Sequence, residues 1–394
     1  MSVTAARGFR AAGVTAGLKP SGRPDVALVV NDGPSSAAAA VFTTNRCKAN
    51  PVLWSEQALR GAAGSGGSAR AVVLNSGGAN CYTGADGFAL THATAETVAD
   101  ALGIGAVDVQ VCSTGLIGLR TDREAMLAGA KEAVGALHDE GGAAAAEAIM
   151  TTDTVPKQAS VAVRSAGGDG QGFRVGGMAK GAGMLAPALA TMLVVVTTDA
   201  RVDAAGCDRA LRAATRSTFD RLDSDGCTST NDTVLLMASG RAGTPDPVEF
   251  DEAVRTVCHD LAQQLLSDAE GAEHDIAIDV RGAASEDDAL EVARSVARSA
   301  LFKCAVFGRD PNWGRILASI GTTRAVFDPT DLDVALNGVW VCRGSSLGDP
   351  PDAVDLPAGQ VDVTIDLKSG RAGATVWTND LTHAYVHENS AYST

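Results

Sequence analysis

Strand-like and helix-like segments mix along this 394-residue chain without a strict βαβ rhythm. That irregularity favours an α+β or layered α/β architecture over a doubly wound parallel sheet. Strands are expected at Val26–Val30, Ala71–Leu74, Val107–Val111, Met192–Thr197, Thr233–Met237, Ile276–Val280 and Val339–Cys342, where β-branched runs meet turn residues. Strict alternation over Val361–Leu367, the turn Lys368-Ser369-Gly370 and the return Ala374–Trp377 predict an antiparallel hairpin with one wet face. Helical spacing marks Ala93–Leu102, Arg123–Leu137, Ala204–Leu222, Phe250–Leu266 and Asp288–Phe302. Ser285 stands three residues before Asp288, the spacing of an N-terminal cap. Gly61–Ser68 and Ser165–Gly172 read as connector or hairpin tips, because strand patterns resume directly after them.

The length exceeds what one core usually holds, so two lobes are expected. Aromatic residues make up only 4%, so the core rests on Ala, Val, Leu and Ile. A formal net charge of −15 disfavours nucleic acid and anionic membrane surfaces as partners. The eight cysteines are scattered with no C-x-x-C pair and read as reduced thiols. Met1–Gly13 holds no apolar run of the signal-peptide kind, and Met192–Val196 is far too short to cross a bilayer. A cytoplasmic, soluble protein is therefore expected.

Several polar constellations interrupt this frame. Lys180-Gly181-Ala182-Gly183 leads through Ala190-Thr191 into a β-branched strand. A threonine at a strand start is usually only a strand former. Cut before Thr191, however, the chain would carry a hydroxyl nucleophile and an α-amine of ordinary pKa about 8 on one residue. Cys112-Ser113-Thr114-Gly115 is a strand end followed by a hydroxyl and a glycine, usually an ordinary turn but also the form of an oxyanion hole. Met150–Lys157 sets three threonines around Asp153, either a polar helix end or a hydroxyl-rich wall for a carboxylate. Ser267–Ala272 sets Asp268 and Glu270 at a helix C-terminus, where acids oppose the dipole. Gly308–Arg315 reads as a tight turn on a buried indole, with a site loop as the second reading, and Asp223–Thr233 as a polar loop or a solvated site loop without the EF-hand pattern. The six histidines make no zinc pattern, His383 and His387 falling in a stretch read as extended, so no metal is expected. The glycines at 176–181 fit neither nucleotide fingerprint, so no nucleotide cofactor is expected.

In order along the chain, these blocks resemble the glutamate N-acetyltransferase/ornithine acetyltransferase family of arginine biosynthesis. Gly13–Lys19, Phe42–Arg46, Asn75–Asn80, Ser113–Gly118, Thr151–Thr154, Lys180–Thr191, Asp310–Arg315 and Glu388–Thr394 carry the resemblance. It departs at Gly78, Ala188, Leu189 and Cys227. The resemblance implies an αββα sandwich and self-cleavage between Ala190 and Thr191, giving pieces 1–190 and 191–394 that stay together as a heterotetramer of two each. It implies Thr191 as nucleophile and Thr114 with Gly115 as oxyanion hole. Thr154, Lys180, Thr191, Glu270, Asn389 and Thr394 would line the substrate pocket. The implied reaction moves acetyl from N-acetylornithine to glutamate, with acetyl-CoA as a further donor in some members. A self-processing aminopeptidase or amidase, and a non-catalytic amino-acid-binding protein, are the rival readings.

Overall fold

The computed structural model describes residues 2–60, 67–164, 172–183, 192–357 and 359–391. Two sheets are stacked at its centre. The first has four strands in the order Phe9–Val14, Val26–Asn31, Ala71–Ser76, Val109–Thr114. The second has five, in the order Ala38–Phe42, Thr233–Ala238, Leu193–Thr198, Phe173–Lys180, Lys157–Val163.

Strand periodicity decides how they pack. In Leu193–Thr198 every residue is buried, because both faces of the sheet are covered. Leu193 and Val195 meet Val29, Val72 and Leu74 of the first sheet, whereas Val194 and Val196 meet Leu211, Val254 and Leu261 of two helices. Those helices are Ala204–Ser217 and Pro247–Ser267. The outer face of the first sheet carries Leu28, Val73 and Val111 against Leu90, Val98 and Met126 of the helices Gly84–Leu102 and Arg123–Gly135. The layers thus run helix, sheet, sheet, helix. The stripe expected in the helix from Phe250 is the buried one, with Val254, Val257, Cys258, Leu261, Leu265 and Leu266 all inside. Asp246 caps that helix by accepting from Val248 N–H at 2.9 Å.

A third sheet forms the second lobe, in the order Ser346–Leu347, Val339–Arg343, Asp333–Leu336, Gly359–Asp366, His274–Ala283, Ala372–Asn379. Ile276, Ile278, Val363, Ile365 and Val376 pack there on Val292, Val296, Phe302, Ile316 and Ile320. Trp377 joins the lobes, its carbonyl accepting from Asp223 N–H at 2.8 Å and its ring 5.7 Å from that of His259.

Four local expectations are corrected. The strands around Lys368-Ser369-Gly370 run antiparallel but do not pair: His274–Ala283 lies between them, parallel to one and antiparallel to the other. The turn reverses the chain across two strand spacings, about 10 Å, and turn residues alone do not report an inserted strand. The helix expected over Asp288–Phe302 is two helices, Glu286–Ala297 and Ala300–Phe307, the second started by Ser299 accepting from Phe302 N–H. His383 and His387 lie in a helix, His383–Ala391, not in extended chain. Asp310–Arg315 opens the helix Trp313–Ile320, with an indole only partly buried. The cap at Ser285 is present, accepting from Asp288 N–H at 3.1 Å. All eight cysteines are free thiols, five of them buried. No helix among the described residues is long and apolar enough to cross a membrane.

Candidate active site

Stacking the two sheets brings strand ends from both to one place. Thr114 ends a strand of the first sheet and Lys180 one of the second, and both side chains are buried. Lys180 Nζ donates to Thr114 Oγ1 at 3.4 Å. The antiparallel register sets Lys180 opposite Leu193, the first residue of the neighbouring strand. The loop that resembles the cleavage segment therefore leaves and re-enters the sheet at this point.

The turn after Thr114 is built of glycine for a steric reason. Gly77 and Gly78 N–H both donate to the Thr114 carbonyl, at 3.1 and 3.0 Å. Gly115 has φ 126°, and a Cβ there would fall 2.7 Å from Gly78 N. Only glycine allows these two backbone segments to touch. Asn231 ties the same turn to the second sheet, its Nδ2 donating to Ala79 O at 2.7 Å and Ser113 O at 2.8 Å.

Alternating charges extend from Lys180. Its ammonium lies 4.0 Å from Asp153, which accepts from Lys157 Nζ and from Gly181 N–H, each at 2.7 Å. Lys157 also pairs with Asp268, and Asp268 accepts both the N–H (3.0 Å) and the hydroxyl of Thr154. Lys157 and Asp153 have no exposed side-chain surface. Burial alone would raise the Asp153 carboxyl, but Lys180, Lys157 and the two hydrogen bonds prevail and hold it at about 2. Burial pushes the Lys180 ammonium below its ordinary value; Asp153, Asp232 and Glu270 oppose that shift and Lys157 adds to it. Asp232 is fully buried and is raised to about 8 by desolvation, against the Met192 N–H and Lys180.

Glu270 is fixed beside the Lys180 turn: its N–H donates to Ala182 O at 2.9 Å, and a Cβ on Gly183 would fall 2.6 Å from its carboxylate. Gly271 follows with φ 64°, and the helix His383–Ala391 sits directly on it. Tyr385 of that helix donates to Asp225 at 2.8 Å. Asn389 lies one turn further on, exposed, its Nδ2 donating to Tyr385 O at 3.0 Å.

Of the residues singled out in the sequence, Thr114, Gly115, Lys180, Thr154 and Glu270 are therefore linked by contacts or short charged bridges, and Asn389 rides on a helix seated next to Glu270. Ala190, Thr191 and Thr394 lie outside the described residues, as do Ala188 and Leu189. The sequence places Asp268 among acids at a helix end and Asn231 and Asp232 in a polar loop, and assigns no individual role to Lys157, Asn231 or Asp232. The four-residue spacing of Asp153 and Lys157 in an otherwise hydroxyl-rich block is a signal for Lys157; the others depend on contacts distant in sequence. Among the described residues, no group of His, Cys, Asp and Glu could hold a metal ion.

Comparison with known proteins bears on the whole chain. The model of the ArgJ family matches residues 10–394. The arginine biosynthesis bifunctional protein ArgJ of Streptomyces coelicolor is 60% identical over 394 residues, covering 100% of both chains. The protein of the same name from Mycobacterium tuberculosis is 53% identical, covering 99% of this chain and 96% of its own. Among solved structures, ornithine acetyltransferase of Mycobacterium tuberculosis complexed with ornithine is 57% identical, covering 47% of this chain and 94% of its own with a TM-score of 0.43. ArgJ of Bacillus halodurans is 35% identical, covering 50% of this chain and 97% of its own with a TM-score of 0.47. With the family model and the relatives matched essentially end to end, this chain belongs to the ArgJ family.

Proposed function

We propose that this protein is an acetyltransferase of arginine biosynthesis that moves the acetyl group of N2-acetylornithine to glutamate, and that it also makes N-acetylglutamate from acetyl-CoA. The observation that carries the reading is the meeting of Thr114 and Lys180 where the strand pair ending at Lys180 and starting at Leu193 closes. In this reading the chain cleaves itself between Ala190 and Thr191. The Thr191 hydroxyl attacks the acetyl carbonyl, and the Thr191 α-amine takes the hydroxyl proton. The Thr114 hydroxyl and the Gly115 N–H stabilise the oxyanion, a contribution typically worth ~10²–10³ in rate per donor. The intermediate collapses with release of ornithine, whose amine receives the proton. Glutamate then attacks the acetyl ester through its neutral amine; the Thr191 α-amine takes that proton and passes it to the Thr191 oxygen as the ester C–O bond breaks, which releases N-acetylglutamate and restores Thr191.

The pocket fits amino-acid substrates by charge. Glu270 suits an ammonium, and Lys180 suits a carboxylate or the developing oxyanion. Thr154, Asn389 and Thr394 complete its wall. No cofactor takes part; acetyl-CoA enters as a substrate. The two pieces work in the cytoplasm as a heterotetramer of two each.

Intact mass and an N-terminal read of the purified protein test this directly. Two pieces, the second beginning at Thr191, are expected, with acetyl transfer from N-acetylornithine to glutamate outpacing its hydrolysis. A single uncleaved chain with full activity, or hydrolysis without transfer, would refute it. Thr191→Ala should give one uncleaved, inactive chain.

A further inference from the structure

We infer that Asp232 is a positioning residue: it clamps the backbone of Met192 and so fixes where the strand Leu193–Thr198 begins and where the residue before it stands. The inference rests on the proposed cleavage before Thr191 and adds a residue to that machinery. A new chain terminus frays unless it is tied down. A nucleophile on such a terminus is useful only while held, since a displacement of about 1 Å can cost ~10² in rate.

The ladder geometry shows what ties it. Leu193–Thr198 runs parallel to Thr233–Ala238, with Leu193 opposite Thr233. In a parallel ladder, the residue opposite 232 gives its N–H to the carbonyl of 231 and receives at its own carbonyl the N–H of 233. The second bond is made: Met192 O accepts from Thr233 N–H at 3.1 Å. The first is replaced. The Asn231 carbonyl accepts from Thr233 Oγ1 at 3.1 Å, and the Met192 N–H goes to Asp232 Oδ1 at 3.0 Å. A side chain thus closes the last rung of the ladder, one residue from the proposed nucleophile. Met192 is fully buried, so water does not offer an alternative partner for that N–H. Asp232 is itself held, its own carbonyl accepting from Thr43 N–H at 2.9 Å. Its Oδ2 is buried and has no hydrogen-bond partner among the described residues.

The raised carboxyl agrees with this arrangement, because the working group is then mainly the neutral acid, which still accepts through its carbonyl oxygen. An asparagine is the same shape and keeps that acceptor. Asp232→Ala and Asp232→Asn in the full chain therefore separate the clamp from mere bulk. For Asp232→Ala, the Met192 amide should exchange with deuterium about tenfold faster or more, the size of one lost buried hydrogen bond. The kcat of its cleaved form should fall by about 10- to 100-fold while KM for N-acetylornithine stays within about twofold. Asp232→Asn should restore exchange and kcat to within about threefold of the wild type. Wild-type exchange and kcat in Asp232→Ala would overturn the inference. So would a folded Asp232→Asn that loses as much as Asp232→Ala, since its acceptor is present. If Asp232→Ala does not fold, Asp232→Asn decides alone by the same criterion. A wild-type protein that lacks acetyl transfer would sink the functional reading instead, and the exchange comparison would still read the clamp.

Discussion

Asp153 and Asp232 both act on the Lys180 ammonium, yet their surroundings drive them in opposite directions. Asp153 has two lysines and accepts three hydrogen bonds, from Lys157 Nζ and the Gly181 and Thr151 N–H groups, and its folded-state value of about 2 lies below the ordinary 3.8. Its stabilising contribution is present above the ordinary value and is lost as pH falls toward 2. Asp153→Asn should therefore lower the unfolding free energy at pH 7, by about 3 kcal/mol for a broken buried pair. The deficit against wild type should shrink as pH falls below about 4 in denaturant titrations. Desolvation raises Asp232 to about 8 against the Met192 N–H and the Lys180 charge. Its unfolded form gives up the proton near 3.8 and its folded form keeps it, so the native state binds more protons between those values and stability declines as pH rises. Asp232→Asn cannot ionise and should gain stability relative to wild type as pH rises from about 4 to about 8, with no gain below that range. A flat difference across that window would show that Asp232 does not titrate there. At this scale the sequence made Thr114 and Lys180 visible, because hydroxyl, glycine and lysine stand beside strand ends. It could not show that Thr154 reaches Lys180 through Asp268, which bonds Lys157 from 111 residues away.

Elements were legible where the burial pattern is local and opaque where a partner decides. The stripe in Pro247–Ser267 and the apolar run in Leu193–Thr198 needed only spacing to be read. The strands flanking Lys368 were equally plain as strands, but their pairing was set by His274–Ala283, which fits between them because Ile276, Ile278 and Val280 continue their buried rows. The last helix shows the opposite case. His383–Ala391 lacks a distinct apolar stripe, and its place comes from Gly271, Asp225 and the cap formed when Thr382 Oγ1 accepts from Tyr385 N–H at 2.9 Å. A Cβ at position 271 would fall 2.2 Å from Tyr385 N at a φ of 64° that side chains disfavour. Gly271→Ala should push this helix off its seat while leaving both cores intact. The expected result is a KM for substrate raised about tenfold or more with a thermal transition only modestly lowered, because the strain falls on the seat of the helix that carries Asn389. A wild-type KM would show that the helix takes no part in binding.

The proposed cleavage would divide the molecule in an unusual way. The first sheet belongs wholly to residues before 191 and the third wholly to residues after it. The second sheet belongs to both: Thr233–Ala238 and Leu193–Thr198 lie between Ala38–Phe42 on one side and Phe173–Lys180 on the other. Pulling the pieces apart would open two ladders and expose the face of the two central strands that packs on the first sheet, including Leu193, Val195, Leu235 and Met237. Apolar surface costs about 25 cal/mol per Å² to expose, and strand edges left bare seek new partners. The cleaved protein should therefore elute as one species in native size exclusion and give two bands only after denaturation. It should also unfold in one transition, because the core between the first two sheets is built from both pieces. The piece ending at 190, expressed alone, would present Phe173–Lys180 and Ala38–Phe42 as unpaired apolar edges and should be insoluble, and co-expression with the piece starting at 191 should recover it. Soluble, monomeric behaviour of that first piece by itself would mean that the shared sheet is not what holds the halves together.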